Sequence, residues 1–378
     1  MKALQIRNIL LCLLSLQILL FAFCGNKNME QFSSDLSFIK LPEGFNISIY
    51  ADDVKNARGM CLGDEGTIFV GSRHEGKVYA LKDNNGDFKV DKKWGLAENI
   101  NMPVGVAFKN GDLYISAVGE ILVLRNIESN LDNPGKPELY SDVFPDNNSH
   151  GWRYIAFGPD EKLYVPVGSP CNNCLKEDSI FASITRIENE NSEPEIIAHG
   201  VRNTVGFDWH PQSGELWFTD NGRDWMGDDL PPCELNRLSE EAAHFGFPFC
   251  HGEAISDPEN GDQTACENFT APVQELGPHV APLGMKFYTG DQFPAEYKNQ
   301  VFIAEHGSWN RSTKIGYRIT LVKLDAAGNS LGYTTFAEGW EQGGEVYGRP
   351  VDLLELKDGS LLVSDDYGDK IYRITYGK

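Results

Sequence analysis

The segment Asn110-Gly111-Asp112-Leu113-Tyr114-Ile115 joins a tight turn to a short apolar strand. Asn-Gly is typical of such turns because both residues tolerate positive φ angles. The same order, a polar turn followed by a short strand, recurs at six places in the chain. The six copies lie at residues 65–70, 110–115, 159–165, 213–218, 298–303 and 358–363. Most neighbouring copies begin about 45 to 60 residues apart, so the sequence contains an internal repeat.

A second short apolar strand precedes each copy. These strands lie at residues 59–62, 105–108, 154–157, 205–208, 284–287 and 351–354. Repeated groups of short strands, without a convincing amphipathic helix, predict an all-β protein with the fold of a six-bladed β-propeller. A β-sandwich or a solenoid is the alternative, but neither repeats one turn-and-strand phrase six times. The strand at residues 45–50 is predicted to complete the last blade and close the ring, which protects the blade edges.

The composition limits the class of partner. The chain has 378 residues, a formal net charge of −22 and 41% hydrophobic residues, which is too apolar for a disordered chain. The acidity argues against nucleic acid as a partner, because phosphate binding needs a basic surface. It also argues against electrostatic binding to anionic lipid.

The N-terminus predicts export. Lys2 and Arg7 precede an apolar run of about 15 residues, which is short for a membrane-spanning helix. Cys24 follows at once, as at a lipoprotein cleavage site; an uncleaved anchor and ordinary signal cleavage are the alternatives. We expect a signal peptide at 1–23, a tether at 24–35 and a propeller domain at 36–378. The mature protein is expected to be periplasmic or an outer-membrane-anchored lipoprotein that contacts the membrane only through its N-terminal lipid.

Export permits disulfides. Cys171 and Cys174 form a C-x-x-C motif in a loop, without a second ligand pair at zinc spacing and without the strand-to-helix context of a redox dithiol. We therefore predict a local disulfide between them. Cys250 and Cys266 flank a polar loop and are predicted to form a second disulfide. Cys61 lies at the start of an apolar strand and is predicted to be a buried thiol.

In a propeller the loops that lead into the first strand of each blade meet at one mouth of the channel. We call these the lead-in loops. They carry four arginines, which are Arg58, Arg153, Arg202 and Arg349. A structural salt bridge is the plainer interpretation for any one of them. Four guanidinium groups at equivalent positions instead predict an anion-binding mouth, because guanidinium groups pair well with carboxylates.

Two further features suggest chemistry. His150 lies beside Arg153 on a lead-in loop, where nearby cations would keep the imidazole neutral and able to accept a proton near pH 7. Asp146 could orient it. The segment at residues 219–236 holds five acidic residues and two asparagines, which suits Ca²⁺, although a solvated acidic loop explains the composition equally well.

Six longer phrases carry a family resemblance. They lie at residues 41–45, 150–160, 199–203, 234–237, 244–252 and 304–311. On these phrases the chain resembles the quinoprotein glucose and sorbosone dehydrogenases, which are six-bladed propellers that use pyrroloquinoline quinone (PQQ) and Ca²⁺. Within that family the sequence looks most like the L-sorbosone dehydrogenase-like branch. The likeness spans essentially all of residues 36–378.

The resemblance implies a cofactor site. PQQ is an ortho-quinone with three carboxylates, and the arginine-lined mouth would hold it. The residues that the resemblance and the arginine pattern together assign to the cofactor are Arg202, Asn203, Arg349, Lys314 and Arg58. Lys314 is included because the glucose-oxidising branch has a cofactor-contacting lysine on a fifth-blade loop; Arg311 is the alternative there.

The resemblance also implies a mechanism. His150 would remove the proton of the substrate hydroxyl, and Arg153 would stabilise developing negative charge. Backbone carbonyls near Gly222 and Arg223 would hold Ca²⁺ as a Lewis acid. The expected activity is the oxidation of a sugar or an aldehyde, with a cytochrome or a quinone as the electron acceptor. Two other functions stay open on this fold, a Ca²⁺-dependent lactonase or esterase and a non-catalytic extracellular binding propeller.

Overall fold

A computed structural model describes residues 36–176 and 178–377. The predicted signal peptide and tether lie outside these residues. The chain divides into two units at Lys40 and Leu41. Of the first unit only residues 36–40 are described, and they form a turn in which the Ile39 amide donates to the Leu36 carbonyl. Among the described residues no helix is long and apolar enough to cross a membrane.

The second unit is all-β and is arranged as six consecutive antiparallel sheets, which we number as blades I to VI. Blade I comprises Ala57–Leu62, Ile68–Ser72, Val78–Lys82 and Lys92–Ala97, and blade II comprises Val106–Lys109, Asp112–Ser116, Ile121–Leu124 and Glu138–Ser141. Blade III comprises Ala156–Phe157, Leu163–Val167, Ser183–Ile187, Glu195–His199 and a parallel fifth strand, Ala243–His244. The prediction of a six-bladed β-propeller is confirmed.

The remaining blades follow the same plan. Blade IV comprises Phe207–Trp209, Leu216–Asp220, Pro232–Leu238 and Gln274–Pro278, and blade V comprises Pro282–Phe287, Val301–Glu305, Arg318–Leu324 and Ser330–Glu338. Blade VI comprises Pro350–Glu355, Leu361–Asp365, Lys370–Tyr376 and Phe45–Ala51. Two small hairpins pair Cys250–His251 with Ile255–Ser256 and Glu341–Gln342 with Glu345–Val346. The short 3₁₀ helices are Ile127–Ser129, Gly261–Gln263, Cys266–Asn268 and Ala295–Tyr297.

The N-terminal strand closes the ring as predicted. Phe45–Ala51 pairs with the C-terminal strand Lys370–Tyr376, with Ile47 opposite Ile374. The outer edge of blade VI is therefore supplied by the start of the domain, which ties its two ends together.

The repeated turn has one backbone requirement. In all six copies a residue one or two positions before the second strand has a positive φ, for example +87° at Gly111 and +64° at Glu161. Glycine reaches this conformation without steric cost, and Asn299 occupies it in blade V with φ +61°. The turn chemistry thus explains why the phrase was recognisable in the sequence.

The core lies between the blades. The second strand of each blade packs against both neighbouring blades, and every residue of Ile68–Ser72, for example, is buried. Apolar clusters fill the space between consecutive blades, such as the cluster of Trp217, Phe287 and Ile303 between blades IV and V. Burial of a large apolar side chain contributes about 1.5–3 kcal/mol, so these seams supply most of the stability of the ring.

Buried hydroxyl groups fix the lead-in loops. Ser364 Oγ donates to the Arg58 carbonyl and Ser116 Oγ donates to the Arg153 carbonyl, each over 2.8 Å. Thr219 Oγ1 makes the same kind of bond to the Leu283 carbonyl over 2.7 Å. In each case the end of one blade's second strand holds the loop that leads into the next blade.

Both predicted disulfides are present, between Cys171 and Cys174 and between Cys250 and Cys266. Cys61 and Cys233 are free thiols. Cys61 is half-buried rather than fully buried, and burial raises the pKa of its thiol well above the ordinary value.

Candidate functional site

Two sets of loops build one site. Because the strands are antiparallel, the loop that leads into the first strand and the loop that leaves the second strand lie at the same end of a blade. We call the second set the lead-out loops. Together they line a cavity of about 440 Å³, a size typical of small-ligand sites. Among the described residues of its wall, the arginine and acidic side chains are those of four arginines and a single aspartate, Asp224. A protein with a net charge of −22 therefore contains a cationic cavity.

Most of the predicted site residues meet in this cavity. The predicted residues in its wall are Arg58, His150, Arg202, Asn203, Gly222 and Arg349. The wall also contains residues that the sequence interpretation did not assign to the site, which are Arg73, Trp152, His279, His306, Trp309 and Asn310. Asn221 and Asp224, from the acidic segment at residues 219–236, lie in the wall as well.

His150 is held as a neutral imidazole with one free nitrogen. Its Nδ1 lies 2.7 Å from the Ser169 carbonyl oxygen. A carbonyl can only accept, so Nδ1 carries the hydrogen and Nε2 keeps its lone pair. Burial and the positive charge of Arg202 lower the pKa of His150 to about 3. The sequence suggested Asp146 as the group that orients His150. In the structure that group is the Ser169 carbonyl. His150 has φ +49°, an uncommon conformation for a residue with a side chain.

Buried carboxylates at the strand ends position two of the arginines. Asp220 Oδ2 accepts the backbone N–H of Arg202, and Asp365 Oδ1 accepts the backbone N–H of Arg349, each over 2.8 Å. The two acids end the second strands of blades IV and VI, so the repeat uses one device twice. The guanidinium group of Arg349 donates only to carbonyls, those of His306 and Gly307, over 2.9 and 2.6 Å.

Arg202 is held by hydrogen bonds to the loop that the Cys171–Cys174 disulfide closes, which we call the disulfide loop. Asn172, which lies between Cys171 and Cys174, accepts from Arg202 Nε through its carbonyl over 2.9 Å and from Nη2 through Oδ1 over 3.0 Å. Asn172 Oδ1 also accepts the Asp224 amide over 2.8 Å. The same short loop therefore carries the partner of His150, which is Ser169, and the partner of Arg202.

Arg58 shares an acid with a histidine. Arg58 Nε lies 3.0 Å from Asp366 Oδ2, and His306 Nε2 lies 2.8 Å from Asp366 Oδ1. Although burial opposes it, Arg58 and His306 hold the pKa of Asp366 well below its usual range. Burial lowers the pKa of His306 to about 4, so the imidazole is neutral at neutral pH. The charge of Arg58 is consequently balanced by Asp366.

Arg73 is an unpredicted cation in the wall. Its guanidinium group lies 3.9 Å from the ring centroid of Trp152, which in turn makes an edge contact with the His150 ring. Its Nε has no hydrogen-bond partner among the described residues, and no described acid forms an ion pair with it. Burial and the charge of Arg58 lower the pKa of Arg73 to about 10, and the group stays charged. Arg73 stands on a lead-out loop, a position that the sequence interpretation did not consider.

Three predicted residues do not reach the cavity. Arg153 is buried inside the blade, where Nη1 and Nη2 donate to the carbonyls of Pro166 and Pro145 over 3.2 and 2.9 Å. Lys314 points to the Gly344 carbonyl. The Arg223 side chain is paired with Asp257 and Glu259 over 2.5 and 2.8 Å. The structure thus places Arg153, predicted to stabilise developing negative charge, and Lys314, predicted to contact the cofactor, outside the cavity wall, and their roles stay predictions.

One of the predicted Ca²⁺ ligands has a hydrogen-bond donor in the structure. The carbonyls of Asn221 and Gly222 both accept from Arg202 Nη1, over 3.1 and 3.0 Å. A guanidinium cation thus contacts the predicted Gly222 carbonyl and its neighbour. No group of three or more acidic, histidine or cysteine side chains in the described residues is arranged to hold a metal.

The fold and the site define a six-bladed β-propeller with an arginine-lined cavity at one mouth. Residues 39–375 match the TrAA12-like family, and the chain belongs to that family. The resemblance to PQQ-dependent sugar dehydrogenases is confirmed at this level, while the L-sorbosone branch stays a prediction.

Three relatives show how far the similarity extends. An uncharacterized protein of Borreliella burgdorferi is 38% identical over 365 residues, which cover 90% of this chain and 92% of that protein. A calcium structure of a Trichoderma reesei enzyme of carbohydrate-active family AA12 is 20% identical, with a TM-score of 0.78 over 90% of this chain and 97% of that one. The holo form of the pyranose dehydrogenase PQQ domain of Coprinopsis cinerea is 19% identical, with a TM-score of 0.73 over 89% and 97% of the two chains. At these identities the two solved structures establish the fold alone.

Proposed function

We propose that the protein is a PQQ-dependent dehydrogenase that oxidises a sugar. The observation that carries the proposal is the pairing, in one cavity, of unneutralised guanidinium groups with a histidine whose Nε2 is free to accept a proton. Family membership supports it, because the Coprinopsis relative is described as a PQQ domain of a pyranose dehydrogenase. A sorbosone-like or other aldehyde substrate stays a prediction of the sequence.

The charges of the wall suit PQQ. Three carboxylates need cations that are not already paired, and Arg73 and Arg349 meet that requirement. Arg202 is only loosely paired, with Nη2 3.4 Å from Asp224 Oδ2, and the Asn203 side chain lies beside it in the wall. Arg58 is balanced by Asp366 and contributes shape more than charge.

The side chains of the protein would then orient the reactants and move one proton. When bound, PQQ supplies the two-electron acceptor. Arg73, Arg202 and Arg349 hold the cofactor's carboxylates, and the Ser169 carbonyl fixes the His150 ring so that Nε2 faces the cavity. His150 Nε2 takes the proton of the substrate hydroxyl. Arg153 has an indirect, positioning role. Its hydrogen bonds to the Pro145 and Pro166 carbonyls anchor the loop that carries His150.

Ca²⁺ receives no step in this proposal. A metal at the Gly222 carbonyl would lie beside the positive charge of Arg202, which donates to that carbonyl and to the Asn221 carbonyl, so the present position of Arg202 disfavours Ca²⁺. The prediction is tested by calorimetric titration of Ca²⁺ into the protein with and without PQQ. Binding only with PQQ present would show that the cofactor draws Arg202 away.

The rival lactonase or esterase function is less consistent with the wall. Metal-assisted hydrolysis needs several acidic and asparagine oxygens facing the channel. The described residues of the wall supply one carboxylate, Asp224, and the amides of Asn203, Asn221 and Asn310, together with four arginines that would repel a metal ion. The signal peptide at residues 1–23, the lipid anchor at Cys24 and the cytochrome or quinone acceptor stay predictions from the sequence.

Reconstitution tests the proposal. The purified protein should bind PQQ in an absorbance titration and should then reduce a dye with one or more aldoses. His150→Ala should lower turnover by a factor of about 10² or more and leave PQQ binding nearly unchanged. His74→Ala is the matched control, since His74 is an exposed imidazole near Arg73. Absence of PQQ binding would refute the proposal, and unchanged turnover of His150→Ala would remove His150 from the role of base.

A further inference from the structure

Two exposed tryptophans stand at the rim of the cavity. Trp225 is 69% exposed and Trp309 is 67% exposed, and their ring centroids are 5.5 Å apart with the planes at 89°. Trp309 is part of the cavity wall. Trp152, the other tryptophan of the wall, is covered by Arg73. Trp309 is therefore the exposed tryptophan of the cavity wall, and Trp225 extends the aromatic surface outward.

The pair is held in place by polar contacts between two loops. Asn310 Nδ2 donates to Asp224 Oδ1 over 2.8 Å. Arg311 Nε donates to the Asp228 carbonyl over 3.0 Å, and the Ser312 amide donates to the Asp228 carboxylate over 3.0 Å. Each tryptophan is adjacent in sequence to one of these anchors. The rings are thus exposed on loops that are fastened to each other, rather than on loose segments.

Exposure of two large aromatic rings costs solvation free energy that a ligand can recover. A pyranose ring has apolar C–H faces and polar edges, so it can stack on an indole ring while its hydroxyl groups stay in water. The wall below is polar and cationic, and it suits the reacting sugar and the cofactor. The aromatic surface of Trp309 and Trp225 lies at the rim and is continuous with this polar wall.

We propose that Trp309 and Trp225 form a platform for a sugar ring adjacent to the one that reacts. The substrate is then a saccharide of at least two units, with its reacting ring in the cavity and the next ring on the platform. This inference rests on the proposed function and names its substrate class. A docking site for an electron-acceptor protein is the competing occupant, and the experiment separates the two.

The test uses saccharide binding and not turnover. Glucose, galactose, cellobiose, maltose and lactose are titrated into the full-length protein without PQQ, with calorimetry and intrinsic tryptophan fluorescence as readouts. We expect at least one disaccharide to bind about tenfold more tightly than its monosaccharide. Trp309→Ala and the double variant with Trp225→Ala should abolish that ratio, and Trp309→Tyr should restore part of it.

Leu331→Ala is the matched control, because Leu331 is also 69% exposed but lies on the outermost strand of blade V. It should leave the ratio unchanged. No preference for any disaccharide, or a preference that survives the double variant, would overturn the inference and would favour the protein acceptor. A separate PQQ titration distinguishes the two proposals: saccharide preference without PQQ binding would refute the cofactor while the platform stands.

Discussion

His150 Nδ1 donates to the Ser169 carbonyl, and Ser169 opens the disulfide loop whose Asn172 clamps Arg202. One short segment of blade III therefore fixes both the base and a cofactor-binding arginine. The geometry of the two groups is coupled through the backbone of residues 169–174, which leads to several measurable consequences.

The pKa of His150 should rise when PQQ binds. In the free protein burial and then the positive charges of Arg202 and Arg73 lower this pKa to about 3, while the bond to Ser169 opposes the shift. A bound trianion would neutralise those arginines, which favours the imidazolium and moves the pKa up toward the ordinary value of about 6.5. NMR titration of labelled histidines with and without PQQ measures the change.

The pH dependence of turnover follows from the pKa of His150. Only the neutral imidazole accepts a proton, so turnover should fall as the pH drops below the pKa of His150 in the complex and stay level above it. His210, on blade IV, is the control and should not respond to PQQ. A pKa near 6.5 in the free protein, or no change on binding, would contradict the prediction.

Gly168→Ala should damage the site without unfolding the propeller. A Cβ at this position would lie 2.6 Å from His150 Cβ and 2.9 Å from the His150 carbonyl. His150 would have to move away from Ser169, and we expect turnover to fall about tenfold or more while the melting temperature changes by a few degrees. Gly95→Ala is the control, since nothing lies within 4 Å of its added Cβ. Equal turnover of the two variants would show that His150 tolerates displacement.

The repeat made the fold predictable, because each copy contains its own turn residue and strand. Phe45–Ala51 could be assigned to the last blade because a propeller needs its ring closed. The position of Arg153 outside the cavity wall depends on contacts that the sequence does not show, because its guanidinium group donates to the carbonyls of Pro166 and Pro145.

The missed residues also have a physical explanation. Arg73 and His306 follow the second strands, and antiparallel pairing returns those strand ends to the mouth that the lead-in loops occupy. That rule was available from the sequence. The stacking of Arg73 on Trp152 and the sharing of Asp366 by Arg58 and His306 were not, because side-chain geometry alone joins these residues across about 60 to 310 positions of sequence.

Arg73→Ala should weaken PQQ binding by about tenfold or more. No acid among the described residues forms an ion pair with its guanidinium group, so the variant removes a cavity charge without taking the ion-pair partner of any described acid. Arg73→Lys should recover only part of the affinity, because an ammonium group lacks the planar fork that stacks on Trp152. Calorimetry of PQQ binding at two salt concentrations measures both effects. Arg125→Ala, an exposed surface arginine, should bind PQQ normally, and equal affinity of Arg73→Ala would exclude Arg73 from the cofactor site.

Removal of one disulfide should mainly reduce stability, and removal of the other should mainly reduce PQQ affinity and turnover. The Cys171–Cys174 bridge closes a loop with a sequence separation of 3 and the Cys250–Cys266 bridge one of 16, so chain entropy predicts about 1.6 and about 3 kcal/mol of stabilisation respectively. The first bridge, however, encloses Asn172, which holds Arg202. Replacement of Cys171 and Cys174 by serine should therefore change stability less but lower PQQ affinity and turnover more than the same replacement at Cys250 and Cys266. Denaturant unfolding and PQQ titration of both double variants give the comparison. If the Cys250–Cys266 variant lost more affinity than the Cys171–Cys174 variant, the disulfide loop would not be what positions Arg202.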